Sequence, residues 1–150
     1  MTPEEVIPIA QLFADAMNQL AFISAIVGGF AVALLAGVLG KEKRALTRWT
    51  VGVLSASALL QISCTLFFSL SSFRILTYTA NNRMDDLNAF ISGIDPQIGP
   101  FVIAFFLSFL LFFAGIALTG WFFGKRTGWA GTIISVLATC LAFYGLAIAS

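Results

Sequence analysis

The chain has no histidine, and only 10% of its 150 residues are charged. Soluble domains carry about 25% charged residues. Without histidine, the commonest metal ligand and the commonest general base are both missing. No Asp, Glu, Lys or Arg lies deep within any of the long apolar runs. Ion-coupled transporters keep a membrane-embedded carboxylate or an equivalent group, so active transport is not expected. Nor is there a nucleophile–base pair or a metal set at that depth, so no catalytic residue, cofactor or metal is expected and the chain reads as a non-enzyme. The net charge is +1, with no basic patch suited to nucleic acid. Cysteine is scarce too: Cys64 and Cys140 both fall inside apolar runs, where a thiol behaves as a small apolar group.

Hydrophobic residues make up 59% of the chain and include 16 Phe. Runs of about 18 or more apolar residues read as membrane spans. Four are expected, at 20–39, 49–70, 100–123 and 129–148. Together they use most of the chain, so the expected fold is all-α: one polytopic domain, residues 1–150, with four transmembrane helices. Trp49, Trp121 and Trp129 lie near span ends, where indole favours the water–lipid boundary. The acidic start (Glu4, Glu5) argues against a cleaved leader, so residue 1 is taken as part of the mature protein.

Residues 1–19 form an amphipathic helical segment. Thr2-Pro3-Glu4-Glu5 has the order of a helix start, with Thr2 as cap, Pro3 in the first helical position and Glu5 closing a capping box. Pro8 either kinks this segment or marks it as an interfacial helix. Residues 73–99 are expected to form an extracytoplasmic loop with a short helix near 85–91, stopped by Gly93 and Asp95-Pro96.

Lys41, Lys43, Arg44 and Arg48 lie between the first two spans, and Lys125 and Arg126 between the last two. Against these six, the 73–99 segment holds two, Arg74 and Arg83. Basic loops stay on the cytoplasmic side. The chain is therefore expected in the plasma (inner) membrane with both termini outside. GKEKRALTRWTVGVLSASA also echoes GKRTGWAGTIISVLATC, which fits two tandem helical hairpins; it fits equally a shared preference of tight turns for Gly, Lys and Trp.

Ala21, Ala25, Gly29, Ala33 and Gly37 recur every four residues along the first span. Small residues at that spacing let two helix backbones approach closely, within one chain or between copies. The second span has a polar stripe of Ser57, Gln61, Cys64, Thr65 and Ser72. Gln61 falls near mid-bilayer, where an amide needs a hydrogen-bonding partner or water. The fourth span carries Thr132, Ser135 and Thr139, and the third is ringed by Phe and faces lipid over much of its surface. Glu4, Glu5 and Asp15 stand near the outer end of the first helix. They either offset its macrodipole or, if copies surround an axis, form acidic rings at a channel mouth.

SAIVGGFAVALLAG (Ser24 to Gly37) resembles the pore-lining first helix of the Orai calcium-channel family, and LLFFAGIALTGW (Leu110 to Trp121) is similar to that family's third helix. The resemblance covers four spans in matching order. It implies a hexamer with first helices around the pore and third and fourth helices outside. The family's selectivity glutamate would fall at Gly37 and the carboxylate of its third helix at Gly115. The basic segment before the family's first helix is acidic here, and the expected topology is inverted. The resemblance therefore implies a pore lined by Gly29, Phe30 and Ala33 without calcium selectivity.

The expectation from the sequence is a homo-oligomeric channel or pore with the first helix nearest the axis. Two alternatives are a non-catalytic subunit or scaffold bound to a protein partner, and a small dimeric facilitator. Besides such partners, the chain's only expected surroundings are the lipid bilayer and copies of itself.

Overall fold

The computed structural model describes the backbone over residues 3–40 and 45–149, and side chains over 6–40 and 45–141 and at Tyr144. Four helices follow one another: α1 (Pro3–Leu39), α2 (Ala45–Ala80), α3 (Met84–Gly120) and α4 (Lys125–Ala149), with a 3₁₀ turn, Trp121–Phe123, before α4. No strand occurs among the described residues.

Three stretches are long and apolar enough to cross a membrane: Val6–Leu39, Ala45–Ala80 and Met84–Phe123. The first has 34 residues. At 1.5 Å per residue it is about 51 Å long, against about 30 Å of hydrocarbon. Tilt alone would have to reach roughly 54° to bury that length, beyond the usual limit of about 40°. Part of each long helix therefore lies outside the hydrocarbon.

The 73–99 segment differs from the expected loop. It is helical except at 81–83. α2 continues to Ala80 and stops at Asn82, whose φ is 52°. Asparagine tolerates this left-handed conformation better than most residues. The amide of Arg83 donates to the carbonyl of Tyr78 at 3.0 Å, and that of Asn82 to Thr79 at 3.2 Å, a Schellman arrangement that satisfies the last carbonyls of α2. α3 then begins with Asp85 and Asp86 in its first turn, where carboxylates favour the dipole. Gly93 and Asp95-Pro96 do not stop it. Pro96 and Pro100 both sit inside the helix. Ser92, Pro96 and Pro100 share the exposed side of α3, so the carbonyls that lose an amide partner are on that side. Pro8 likewise lies within α1 and does not end it; Thr2 and the capping box it would close fall outside the described residues.

The chain divides into two compact units, Met1–Ile26 with Gln61–Phe105, and Val27–Leu60 with Phe106–Ser150. In the first unit α1 buries Ala10, Ala14, Met17, Ala21 and Ser24, at alternating steps of four and three. This is the spacing of a coiled-coil seam. α2 contributes Gln61, Cys64, Phe68, Ser71 and Ile75 with the same rhythm, and α3 contributes Leu87, Ile94 and Phe105. The small α1 residues permit close approach. Ser72 Oγ of α2 donates to the Ala14 carbonyl at 2.9 Å, and Thr65 Oγ1 reaches the Ala21 carbonyl at 3.5 Å while donating to Gln61 at 2.9 Å. Toward α3, Cys64 Sγ lies 3.6 Å from the Phe101 carbonyl, and the Phe67 and Phe101 rings stack at 3.9 Å. At the hairpin end, Arg83 pairs with Asp86 at 2.6 Å and lies over the Tyr78 ring, while Arg74 lies over Phe90.

In the second unit α1 buries Gly28, Ala31 and Val38, and α2 buries Thr47, Thr50, Leu54, Ser57 and Ala58. Ser57 Oγ donates to the Ser108 carbonyl of α3 at 2.8 Å. Gly115 of α3 packs so closely on Leu54 that a Cβ there would overlap its side chain. Gly120 lies against the Thr127 backbone, and Gly128 packs on the Trp121 indole. Trp121 and Trp129 have ring centroids 6.0 Å apart, and Trp121 Nε1 donates to Thr132 Oγ1 at 3.4 Å.

Candidate functional site: the uncovered face of α1

The small residues of α1 fall into two sets. Ala14, Ala21, Gly28 and Ala31 belong to the seam covered by the chain itself. Ala25, Gly29, Ala33 and Gly37 are exposed, and nothing lies within 4 Å of a Cβ built on Gly29 or Gly37. Of the four-residue repeat read from the sequence, only Ala21 is buried within the chain. The intramolecular helix contact uses the alternating seam, and the rest of the repeat is left uncovered.

Beside the seam, about 100° round the helix, runs a second line: Gln11, Asp15, Asn18, Phe22, Ala25 and Gly29, all exposed. It combines polar side chains with a small-residue stretch on one apolar helix. Asn18 and Gln19 border a recess of about 360 Å³ with Phe22 and Ile23. Asp15 joins this line; Glu4 and Glu5 lie in the first turn of α1, with side chains outside the described residues.

A four-residue repeat drifts about 40° per step around a helix of 3.6 residues per turn. Gly37 is therefore roughly 120° round from Ala25. Ala33 and Gly37 border a cleft with Leu34, Val38, Thr119, Phe122 and Phe123, whereas Ala25 and Gly29 remain on the open line.

The polar stripe of α2 points inward. Ser57, Gln61, Cys64 and Ser72 are all buried. Gln61 has 0% exposure, yet neither its Oε1 nor its Nε2 has a hydrogen-bond partner among the described residues. Ser24 Oγ is in the same position. Ser72 and Ser57 do bind neighbouring helices, so they, rather than Gln61, act as the polar links. In α4, Thr132 and Thr139 turn their hydroxyls back to Gly128 and Ser135 of their own helix. Cys64 and Cys140 are both free thiols.

Gly29 and Phe30 are exposed, and Gly115 is packed against Leu54. Among the described residues, no group of three or more Cys, Asp or Glu is placed to hold a metal ion. No family model, curated protein or solved structure matches this chain.

Proposed function

We propose that the chain crosses the membrane four times and assembles with copies of itself into a channel or pore, with α1 nearest the axis. The observation that carries this reading is the line Gln11, Asp15, Asn18, Ala25 and Gly29, which the chain's own helices leave uncovered. Small residues gain nothing by facing acyl chains, whereas a second α1 packs closely on Ala25 and Gly29; Gln11, Asp15 and Asn18 continue the same line beyond the hydrocarbon, where copies face one another. In a ring, Asp15 becomes an acidic collar that concentrates cations at the entrance. Lys125, Arg126 and the basic residues of the first loop lie in the cytoplasm, with both termini and the α2–α3 hairpin outside. The 3–19 and 71–99 segments, which carry most of the acidic residues, extend beyond the hydrocarbon on the outer side.

The test is the mass of the purified chain in native-like lipid. A ring of identical chains is expected, and Gly29→Leu, which places a large side chain on the uncovered line, is expected to break it into smaller species. A monomer, or a stoichiometric complex with another protein, overturns the reading in favour of an accessory subunit. Where a ring forms and conducts, Asp15→Asn is expected to shift the reversal potential toward lower cation preference. Identical reversal potentials for variant and parent remove Asp15 from the mouth.

A further inference from the structure

The cleft in the second unit has a different character from the open line of α1. It encloses about 200 Å³ between the C-terminal turns of α1 and α3, bordered by Ala33, Leu34, Gly37, Val38, Thr119, Phe122 and Phe123. Drug-sized ligands occupy about 300–1,000 Å³ and need a few convergent polar groups. This cleft is smaller, and its one polar side chain is already engaged: Thr119 Oγ1 donates to the Gly115 carbonyl of its own helix at 2.7 Å. A narrow apolar slot without free donors fits a hydrocarbon chain.

The charge beside it identifies the rest of the molecule. Phe123 borders the cleft, and Lys125 is two residues on, so their Cα atoms are at most about 7.6 Å apart. Lys125 and Arg126 are exposed and open α4, whose first turn holds no acid. Neither makes an ion pair among the described residues. Two cations at the start of a helix also oppose its dipole, which an anion would relieve. In the sequence, Val38 leads within six residues to Lys41, Lys43 and Arg44, against the single acid Glu42.

We propose that this cleft is a binding site for one anionic phospholipid, with an acyl chain between α1 and α3 and the headgroup phosphate on Lys125 and Arg126. Basic pockets between helices at the membrane boundary recognise lipid headgroups in this way. The site does not depend on the assembly proposed above, because Ala25 and Gly29 are not part of it.

The full-length chain in detergent would be titrated with phosphatidylglycerol or phosphatidylcholine, and retained lipid counted by native mass spectrometry. One phosphatidylglycerol per chain is expected, retained about tenfold or more over phosphatidylcholine. Lys125→Gln with Arg126→Gln, both surface changes, should bring the two lipids to parity. Thr119→Phe, which fills the slot from α3 and leaves the cations in place, should reduce retention of both. Equal retention by the parent overturns the site, as does a preference that survives the double charge change. A folded Thr119→Phe variant that still retains phosphatidylglycerol at the parent level removes the cleft from it.

Discussion

The two units of this chain bring membrane helices together by different means. In the first, hydroxyl and thiol groups of α2 reach main-chain carbonyls on both neighbours: Ser72 to Ala14, Thr65 to Ala21, Cys64 to Phe101. In the second, glycines do the work: Gly115 under Leu54, Gly120 on the Thr127 backbone, Gly128 under Trp121, with Ser57 to Ser108 as a polar link. The lipid tails around a membrane helix are as apolar as its core, so burial of leucine drives little association. Close packing and interhelical hydrogen bonds remain. The first unit relies mainly on the second of these and the second unit mainly on the first. Both depend on small residues, since neither a hydroxyl nor a flat contact reaches a backbone screened by a large side chain.

This contrast can be broken most forcefully at Gly115. Gly115→Leu must displace Leu54, and overpacking of this kind costs about 1–3 kcal/mol. A loss near the top of that range is expected in reversible unfolding, with most of it recovered in the double variant Gly115→Leu, Leu54→Ala. Full stability of the single variant would mean that α2 and α3 are not in close contact there. A smaller effect is expected at Ser72. Ser72→Ala removes the bond to Ala14, and such a bond contributes about 0.5–1.5 kcal/mol net. The same unfolding measurement should show a loss within that range. No loss would shift the stabilisation of the first unit onto its aromatic contacts, beginning with Phe67 on Phe101.

Much of this was legible in the sequence, because the bilayer imposes strong rules. The helical class and three of the spans follow from apolar runs, and the polar stripe of α2 from Ser57, Gln61, Cys64, Thr65 and Ser72 on one helix, although the stripe alone does not say whether it faces a helix or an aqueous path. The 73–99 segment was not. Hydropathy reports where lipid can be, not where a helix ends. Arg74, Thr77, Asn81 and Arg83 end the apolar run of α2, but the helix continues to Ala80, with Arg74 and Tyr78 packed on Phe90 of α3. The sequence does carry the break, as Asn82 followed by Asp85 and Asp86, whereas Gly93 and Asp95-Pro96, which suggest a stop, lie inside the helix. On α1 the obstacle was different. Small residues lie on both sides of that helix, so composition alone cannot tell the covered seam of Ala14, Ala21 and Gly28 from the open line through Ala25 and Gly29. Only the partner helices distinguish them.

The last expected effect has the opposite sign, and it concerns the residue that the stripe made most conspicuous. Gln61 is fully buried, yet both of its amide atoms lack partners among the described residues. A buried donor or acceptor left unsatisfied carries its full desolvation cost, whereas an apolar group of similar shape does not. Gln61→Leu is therefore expected to raise stability, by about 1 kcal/mol. Ser24→Ala, which removes the other group of the first unit without a partner among the described residues, should act in the same direction. A loss of stability in Gln61→Leu would mean that the buried amide is satisfied, by a trapped water or by another side-chain rotamer.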